Sequence, residues 1–140
     1  MVGERRRARV LALQALYEVD ATGHDLAQTM SHLLANARLS EESLLFVTEL
    51  VNGVLDHREE IDQNIQQFAP AWPLKQMSVV DRNILRLAIF EIILHRKVPI
   101  RVAINEAVEL AKAFGSDNSP KFVNGVLGSV SSLVASDQVG

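Results

Sequence analysis

The residues of this chain best suited to chemistry are four arginines close to its start, in the stretch ERRRARV. They are Arg5, Arg6, Arg7 and Arg9. A guanidinium group is planar and donates paired hydrogen bonds that match phosphate oxygens and base edges. The cluster therefore predicts a site for an anionic ligand, and the alternative is a solvated helix end with a few salt bridges.

The charge of the chain is distributed unevenly. Residues 1–17 carry four arginines against one acid, whereas residues 18–62 carry ten acids against two arginines. Residues 63–140 carry eight basic residues against six acids, and the formal net charge is −3. Binding to a polyanion depends on the local patch as well as on the total charge. A mildly acidic protein can thus still bind a nucleic acid through its first residues.

Residues for other kinds of chemistry are absent or scattered. The chain has no cysteine, which excludes disulfides, thiolate nucleophiles and iron–sulfur clusters. There is no phosphate-binding glycine loop, GxSxG or HExxH motif. Metal-ligand spacing is absent among the four histidines His24, His32, His57 and His95. We therefore expect no enzyme activity, no cofactor and no metal.

No stretch of the chain reaches the roughly 18 apolar residues that a membrane-spanning helix needs. The apolar stretch LALQALY is interrupted by Gln14 and followed by Glu18, which does not fit a secretion signal. We therefore expect a soluble cytoplasmic protein with no membrane partner.

Helical spacing recurs along the chain, and no stretch shows the alternation typical of a strand. Helices are predicted at about 4–21, 25–37, 41–57, 58–68, 81–94 and 99–115, and from Ser119 as N-cap onward. The segment APAWPL contains two prolines within four residues and must interrupt the helices. The sequence predicts one all-α domain, residues 1–140, of about seven helices. The interruption is expected to divide them into an N-terminal lobe at about 1–70 and a C-terminal lobe at about 71–140.

One five-residue sequence, VNGVL, occurs twice, at 51–55 and at 123–127, the second time within FVNGVL at 122–127. Asn-Gly between apolar residues is a strong hairpin signal. The helical stripe nevertheless continues through both copies, so we predict helix at each. Glycine inside a helix costs about 1 kcal/mol relative to alanine. This cost suggests that Gly53 and Gly125 allow another helix to approach closely.

The predicted first helix places most of the arginine cluster on one side of the helix. Arg5, Arg6 and Arg9 fall within one sector about 100° wide at 100° per residue, and Arg7 points elsewhere. Cations at a helix N-terminus are disfavoured by several tenths of a kcal/mol each. The same terminus offers free N–H groups to an anion. An anionic partner, most simply a nucleic acid, therefore explains the cluster better than solvation does.

Two further positions fit a nucleic acid. Lys121 and Phe122 lie in the first turn of the last predicted helix, where a cation beside an aromatic ring suits single-stranded RNA or DNA. For Phe122 the alternative is packing in the core. Arg86 lies in the apolar central helix and needs a partner. It either pairs internally, with Glu106 or Glu109, or opens onto a ligand surface.

Four stretches in order resemble the NusB family of bacterial transcription antitermination factors. They are RRRARVLALQALYEVD, DRNILRLAIFEI, VPIRVAINEAVELAKAFG and KFVNGVL. The resemblance runs along the whole chain, including the region of Trp72, and it implies an all-helical fold of two small bundles. It also implies that the protein binds the boxA element of nascent single-stranded RNA together with NusE, a small-subunit ribosomal protein. The resemblance further implies that this pair acts in the transcription elongation complex and supports ribosomal RNA synthesis.

The resemblance also assigns site residues. It places the arginine-rich RNA-binding start at Arg5, Arg6, Arg7 and Arg9, and the KF motif of the last helix at Lys121 and Phe122. It makes Tyr17 and Arg86 neighbours on that surface. The NusE-facing surface falls at Asp81, Arg82, Phe114, Asp117 and Asn118. The loop of residues 116–120 is less acidic than is usual in the family, which could alter contact with a basic protein.

Two other functions remain open. One is the RNA-binding front of a ribosomal RNA methyltransferase, which the missing cysteine and the missing nucleotide-binding half disfavour. The other is a protein-interaction or homodimerisation module whose arginines bind an acidic protein surface, such as residues 18–62 of a second copy.

Overall fold

The computed structural model describes the backbone of residues 3–139 and the side chains of residues 3–134. In this part of the chain it has seven α-helices and no strand, which confirms the predicted all-α fold. Residues 1, 2 and 140 of the predicted domain lie outside the described residues. The helices are α1 (Glu4–Thr22), α2 (Leu26–Ala35), α3 (Glu41–Asp56), α4 (Arg58–Phe68), α5 (Val79–Ile89), α6 (Ile100–Phe114) and α7 (Ser119–Val139).

The start of α1, which carries the arginines, is fixed against the start of α3. Ser40 caps α3 as predicted, and its hydroxyl accepts a hydrogen bond from the Ser43 N–H at 3.2 Å. The Glu4 carboxylate in turn accepts from the Ser40 N–H at 3.1 Å and from the hydroxyls of Ser40 and Ser43 at 2.7 and 2.8 Å. These hydrogen bonds lower the pKa of Glu4. The first turn of α1 is thereby positioned on α3.

The central helix is shorter than predicted. Residues 83–89 are all buried, as expected for a helix that is apolar on every side. However, α5 begins at Val79, because the Ser78 hydroxyl caps it by accepting from the Asp81 N–H at 3.0 Å. It also ends at Ile89 and continues as a π-helical segment, Phe90–His95. Within this segment Glu91 pairs with Arg9 of α1.

Both VNGVL segments are helical, and the hairpin alternative is wrong. The two glycines differ in their surroundings. A Cβ at Gly53 would lie 2.1 Å from Cζ of Phe90, so this glycine does permit a close approach, to an aromatic ring. A Cβ at Gly125 would meet nothing within 4 Å, so the predicted close helix contact there is wrong.

The start of α7 differs slightly from the prediction. Ser119 is the first helical residue rather than the cap, and the Asn118 carbonyl accepts from the Phe122 N–H at 3.1 Å. The buried Ser119 hydroxyl accepts a hydrogen bond from the Ser116 N–H at 2.9 Å. It therefore ties the preceding loop to the helix.

The buried apolar side chains of α1, α3, α4, α5, α6 and α7 form one continuous core. α2 packs partly buried residues against it. The division into two lobes stays a prediction. In the part of the chain that the structure describes, no helix combines the length and the apolar character that crossing a membrane requires.

Candidate nucleic-acid interface

The two outer arginines of α1 are exposed and make contacts at the surface. Arg5 donates from its Nη2 to Glu42 of α3 at 3.3 Å, and its guanidinium lies 4.3 Å from the centre of the Phe46 ring. Arg7 donates to the backbone carbonyl of Arg38. The surface ion pair of Arg5 contributes little, and an anionic ligand can replace Glu42 in it or the carbonyl at Arg7. Arg5 and Arg7 are thus available to a ligand.

Arg6 is held more firmly than Arg5. It donates two hydrogen bonds to the Glu106 carboxylate of α6, at 2.9 and 3.2 Å, and the Glu106 side chain is 18% exposed. This carboxylate raises the pKa of Arg6. The paired geometry ties the start of α1 to the middle of α6.

Arg9 is buried. Its guanidinium donates to both carboxylate oxygens of Glu91 at 2.9 and 2.8 Å, and the two side chains are 5% and 3% exposed. Pairing of this kind compensates the cost of burying a charge. A direct contact between Arg9 and RNA stays a prediction, and it would require this pair to open.

The second predicted position, at the start of α7, borders an open groove of about 700 Å³ between the APAWPL segment and α7. Lys121 is exposed at its edge, and Phe122 and Trp72 lie edge to face with their ring centres 6.2 Å apart. Trp72 is 55% exposed. Gly125 lines the groove without a side chain, so the helix backbone is accessible there. Phe122 is partly buried and packs against the core, as the alternative for this residue expected, and it also lines the groove. Aromatic rings beside a cation suit the faces of unpaired bases.

Trp72 was not among the site residues assigned from the sequence. An exposed tryptophan within a proline-rich connection is the signal that could have identified it. Its pairing with Phe122, 50 positions further along the chain, depends on how α4 and α7 pack and is not visible in the local sequence.

The groove also contains residues predicted to face a partner protein. Asp81 and Asn118 line it together with Lys121 and Phe122. One Asp81 carboxylate oxygen is buried, and no hydrogen-bond partner for it is present among the described residues. The predicted RNA and protein surfaces therefore meet in this groove. Phe114 and Asp117 are exposed close by but do not line it.

The groove and the arginine cluster lie towards opposite ends of α1. Arg9 contacts Glu91, two residues after the end of α5, whereas Asp20 contacts Arg82 near the beginning of α5, so the two helices are antiparallel. With a rise of 1.5 Å per residue, Arg9 and Asp20 are on the order of 15 Å apart along α1. The predicted RNA-binding residues therefore lie on two separate surfaces, the arginine end of α1 and the groove that Lys121 borders.

Arg86 is paired within the protein. It donates to both oxygens of Asp62 at 2.8 and 3.1 Å, to Asp20 at 2.9 Å and to the Asn83 side chain at 3.1 Å. The predicted acids, Glu106 and Glu109, are not its partners. A direct contact between Arg86 and RNA stays a prediction that requires this network to open.

Arg82 belongs to the same network, because it donates two hydrogen bonds to Asp20, at 2.7 and 2.9 Å. Its guanidinium is thus occupied inside the protein, and the carboxylate raises its pKa. Tyr17 lies one turn before Asp20 on α1 and is 44% exposed. It therefore lies away from the arginine cluster, towards the network.

Acid is expected to weaken the protein through Asp20. Burial raises the pKa of this carboxyl, but hydrogen bonds from Arg82 and Asn83 and the charge of Arg86 outweigh burial and bring the pKa to about 2, from 3.8. Since the pKa is depressed on folding, this stability is present above the unfolded value and is lost as the pH falls from about 4 to about 2. The loss should be about 2 kcal/mol.

Denaturant unfolding of the wild type and of Asp20→Asn at about pH 6 and about pH 3 measures this contribution. The difference in stability between the two proteins should shrink in acid. In contrast, Asp56→Asn, which removes an exposed acid at the end of α3, should keep the pH dependence of the wild type. If the difference in free energy of unfolding between wild type and Asp20→Asn is the same at both pH values, Asp20 is not the source of the acid sensitivity.

Among residues 3–134, no group of three or more histidine, cysteine, aspartate or glutamate side chains is placed to hold a metal ion. The fold and the two surfaces define an all-helical protein whose exposed arginine and lysine side chains can bind an anionic ligand.

Comparison with known proteins identifies the family. The NusB family model matches residues 6–132. The transcription antitermination protein NusB of Dehalococcoides mccartyi is 53% identical over 135 residues, which cover 96% of this chain and 94% of that protein. The chain belongs to the NusB family of RNA-binding transcription antitermination factors, which are not enzymes. This confirms the resemblance stated from the sequence and the prediction that the protein is not an enzyme.

Solved structures agree with this assignment. T. maritima NusB is 35% identical and superimposes with a TM-score of 0.84, covering 93% of this chain and 92% of that chain. A crystal structure of antitermination factors NusB and NusE in complex with double-stranded RNA contains a chain 27% identical to this one. Its TM-score is 0.83, and the match covers 93% of this chain and 97% of that chain.

Proposed function

We propose that this antitermination factor binds boxA-type single-stranded RNA together with NusE and supports ribosomal RNA transcription in the cytoplasm, within the elongation complex. The observation that carries the proposal is the groove at the start of α7. There an exposed lysine, Lys121, borders two accessible aromatic rings, Phe122 and Trp72. Unpaired bases can stack on such rings while the cation neutralises the backbone, and base pairing in a duplex would prevent this stacking.

The arginine end of α1 and the groove divide the binding of RNA between them. A strand whose bases lie at Trp72 and Phe122 would extend towards Arg5 and Arg7 at the start of α1. Phosphate contacts fix the position of the strand, and base contacts supply the sequence preference. We therefore assign affinity mainly to the arginine end and discrimination mainly to the groove.

NusE is the proposed protein partner, and the related NusB–NusE–RNA structure supports this choice. In the present chain, Asp81 and Asn118 line the groove beside the aromatic rings. The acidic side chain of Asp81 suits a basic ribosomal protein and would speed its association. A protein bound at this edge could hold RNA against the groove, so NusE should increase the preference for boxA.

The alternative is an interaction module or homodimer in which the arginines bind an acidic protein surface. The pair of Arg5 with Glu42 shows that an acid from residues 18–62 can occupy this cluster, although it does so within one chain. A salt-sensitive dimer that does not bind RNA would favour this alternative.

The test of the proposed function is binding of a short boxA RNA, a scrambled RNA and a boxA duplex, each with and without NusE, over a salt series. We expect the single-stranded boxA RNA to bind most tightly and NusE to increase its advantage. Equal, weak binding of all three RNAs even with NusE would overturn the proposal.

Single cations should contribute measurably to the salt dependence. Arg5→Ala and Lys121→Ala are each expected to weaken RNA binding and to reduce the slope of log affinity against log salt by about 0.7, the value for one phosphate of a single strand. Arg58→Ala is the matched control, because Arg58 is also an exposed cation at the start of a helix, α4. If Arg58→Ala reduces the slope as much as Arg5→Ala and Lys121→Ala do, the reduction reflects net charge only and not contact with a phosphate.

A further inference from the structure

The cavity next to Arg5 contains two exposed ion pairs of the same kind. It has a volume of about 470 Å³ and lies between α1, α3 and the loop before α6. On one side Arg5 pairs with Glu42 at 3.3 Å, and on the other Lys97 pairs with Glu49 at 3.8 Å. Both acids belong to α3, seven residues apart, and therefore lie on the same face of that helix.

We propose that Arg5 and Lys97 form a binding position for RNA phosphate, and that Glu42 and Glu49 occupy it as intramolecular competitors. This inference rests on the proposed RNA-binding function. It adds Lys97 to the RNA contacts, and it gives α3 the role of setting how tightly the arginine end of the protein binds. RNA binding at this end is thus an exchange of carboxylate for phosphate.

A phosphate can replace the carboxylate in each of the two pairs because both pairs are exposed. The side chains of Arg5 and Glu42 are 54% and 83% exposed, and those of Lys97 and Glu49 are 66% and 49% exposed. Solvent and salt weaken such pairs, and each consists of one contact between cation and carboxylate. The Glu49 carboxylate also lies 3.1 Å from Nε2 of His95, so its departure breaks that contact as well. The pair of Arg9 with Glu91 is buried and joined by two hydrogen bonds, so it stays intact when the two exposed pairs break.

The cavity also keeps Arg5 in place when its carboxylate leaves. The guanidinium rests on the Phe46 ring, and a cation over an aromatic face is held without a counter-ion. The hydrogen bonds of Glu4 to the start of α3 fix the helix turn from which Arg5 projects. The released cation therefore remains directed at the cavity mouth.

The experiment compares Glu42→Gln with Glu41→Gln. Both remove one exposed acid from the first turn of α3, so they change net charge and helix start equally. Binding of a short boxA RNA is measured by anisotropy over a salt series. Glu42→Gln is expected to bind about threefold more tightly, because no carboxylate competes with the phosphate for Arg5. Its salt slope should equal that of the wild type, because Arg5 neutralises one phosphate in both complexes. Glu41→Gln should show a smaller gain in affinity.

Two further variants separate the explanations. In an Arg5→Ala background, Glu42→Gln should give no gain beyond that of Glu41→Gln, and Lys97→Ala alone should reduce the slope by about 0.7. Equal gains for Glu42→Gln and Glu41→Gln, in a wild type that binds RNA and prefers boxA, would overturn this inference and leave the proposed function intact. A wild type that does not bind RNA would overturn both.

Discussion

Replacing Gly53 with alanine is expected to destabilise the protein by about 1 to 3 kcal/mol, although alanine is the better helix former. The added Cβ would lie 2.1 to 2.8 Å from three atoms of the Phe90 ring. That ring is buried and packs against His95 with ring centres 5.4 Å apart, so it cannot move away freely. Overpacking of a dense core forces side chains out of their preferred rotamers.

Gly125→Ala is the matched control, because it lies in the same five residues, VNGVL, inside another helix. Nothing lies within 4 Å of the position of its Cβ, so alanine should stabilise the protein by up to about 1 kcal/mol. Denaturant unfolding of the two variants and the wild type measures both effects. If both variants changed the free energy of unfolding in the same direction, the local sequence, and not the contact with Phe90, would determine the effect of alanine.

Replacing Glu91 with glutamine is expected to cost about 3 to 5 kcal/mol, the largest effect predicted for this protein. The change keeps the shape of the side chain but leaves the charge of Arg9 buried and uncompensated. Equilibrium unfolding in denaturant gives the loss directly. Since Arg9 joins α1 to the π-helical segment after α5, loss of the pair should also loosen the start of α1.

Two controls separate burial of a charge from loss of a contact. Glu42→Gln removes the exposed partner of Arg5 and should cost less than about 1 kcal/mol. The double variant Arg9→Met with Glu91→Leu removes both buried charges and should recover much of the lost stability. If Glu91→Gln lowers the free energy of unfolding as little as Glu42→Gln does, the buried pair of Arg9 with Glu91 does not stabilise the fold.

Local signals in the sequence predicted much of the fold. Ser40 marks the start of α3 because its hydroxyl caps the helix, and Gly23, with a φ of 72°, ends α1 close to the predicted position. The end of α5 could not be predicted in this way. The π-helical segment depends on packing of Phe90 over Gly53 and of Glu91 onto Arg9, and these residues are far apart in the sequence.

The candidate site was predicted less completely than the fold. The arginine cluster is evident from residue type and spacing, but the sequence does not show which arginine is exposed. Arg9 is buried and Arg5 is not, because their partners, Glu91 and Glu42, lie on different elements. Likewise, the sequence predicted that the APAWPL segment interrupts the helices. The contact between the rings of Trp72 and Phe122 depends on the fold and could not be predicted from the sequence.

The most direct test of the central claim uses Trp72, the one tryptophan of the chain. Its fluorescence is recorded while short boxA RNA is added, and binding is followed independently by the anisotropy of labelled RNA. We predict that the emission of Trp72 is quenched in parallel with binding, since bases stack in the groove. RNA that binds, as anisotropy shows, without changing the emission of Trp72 would contradict the claim that the groove receives single-stranded RNA.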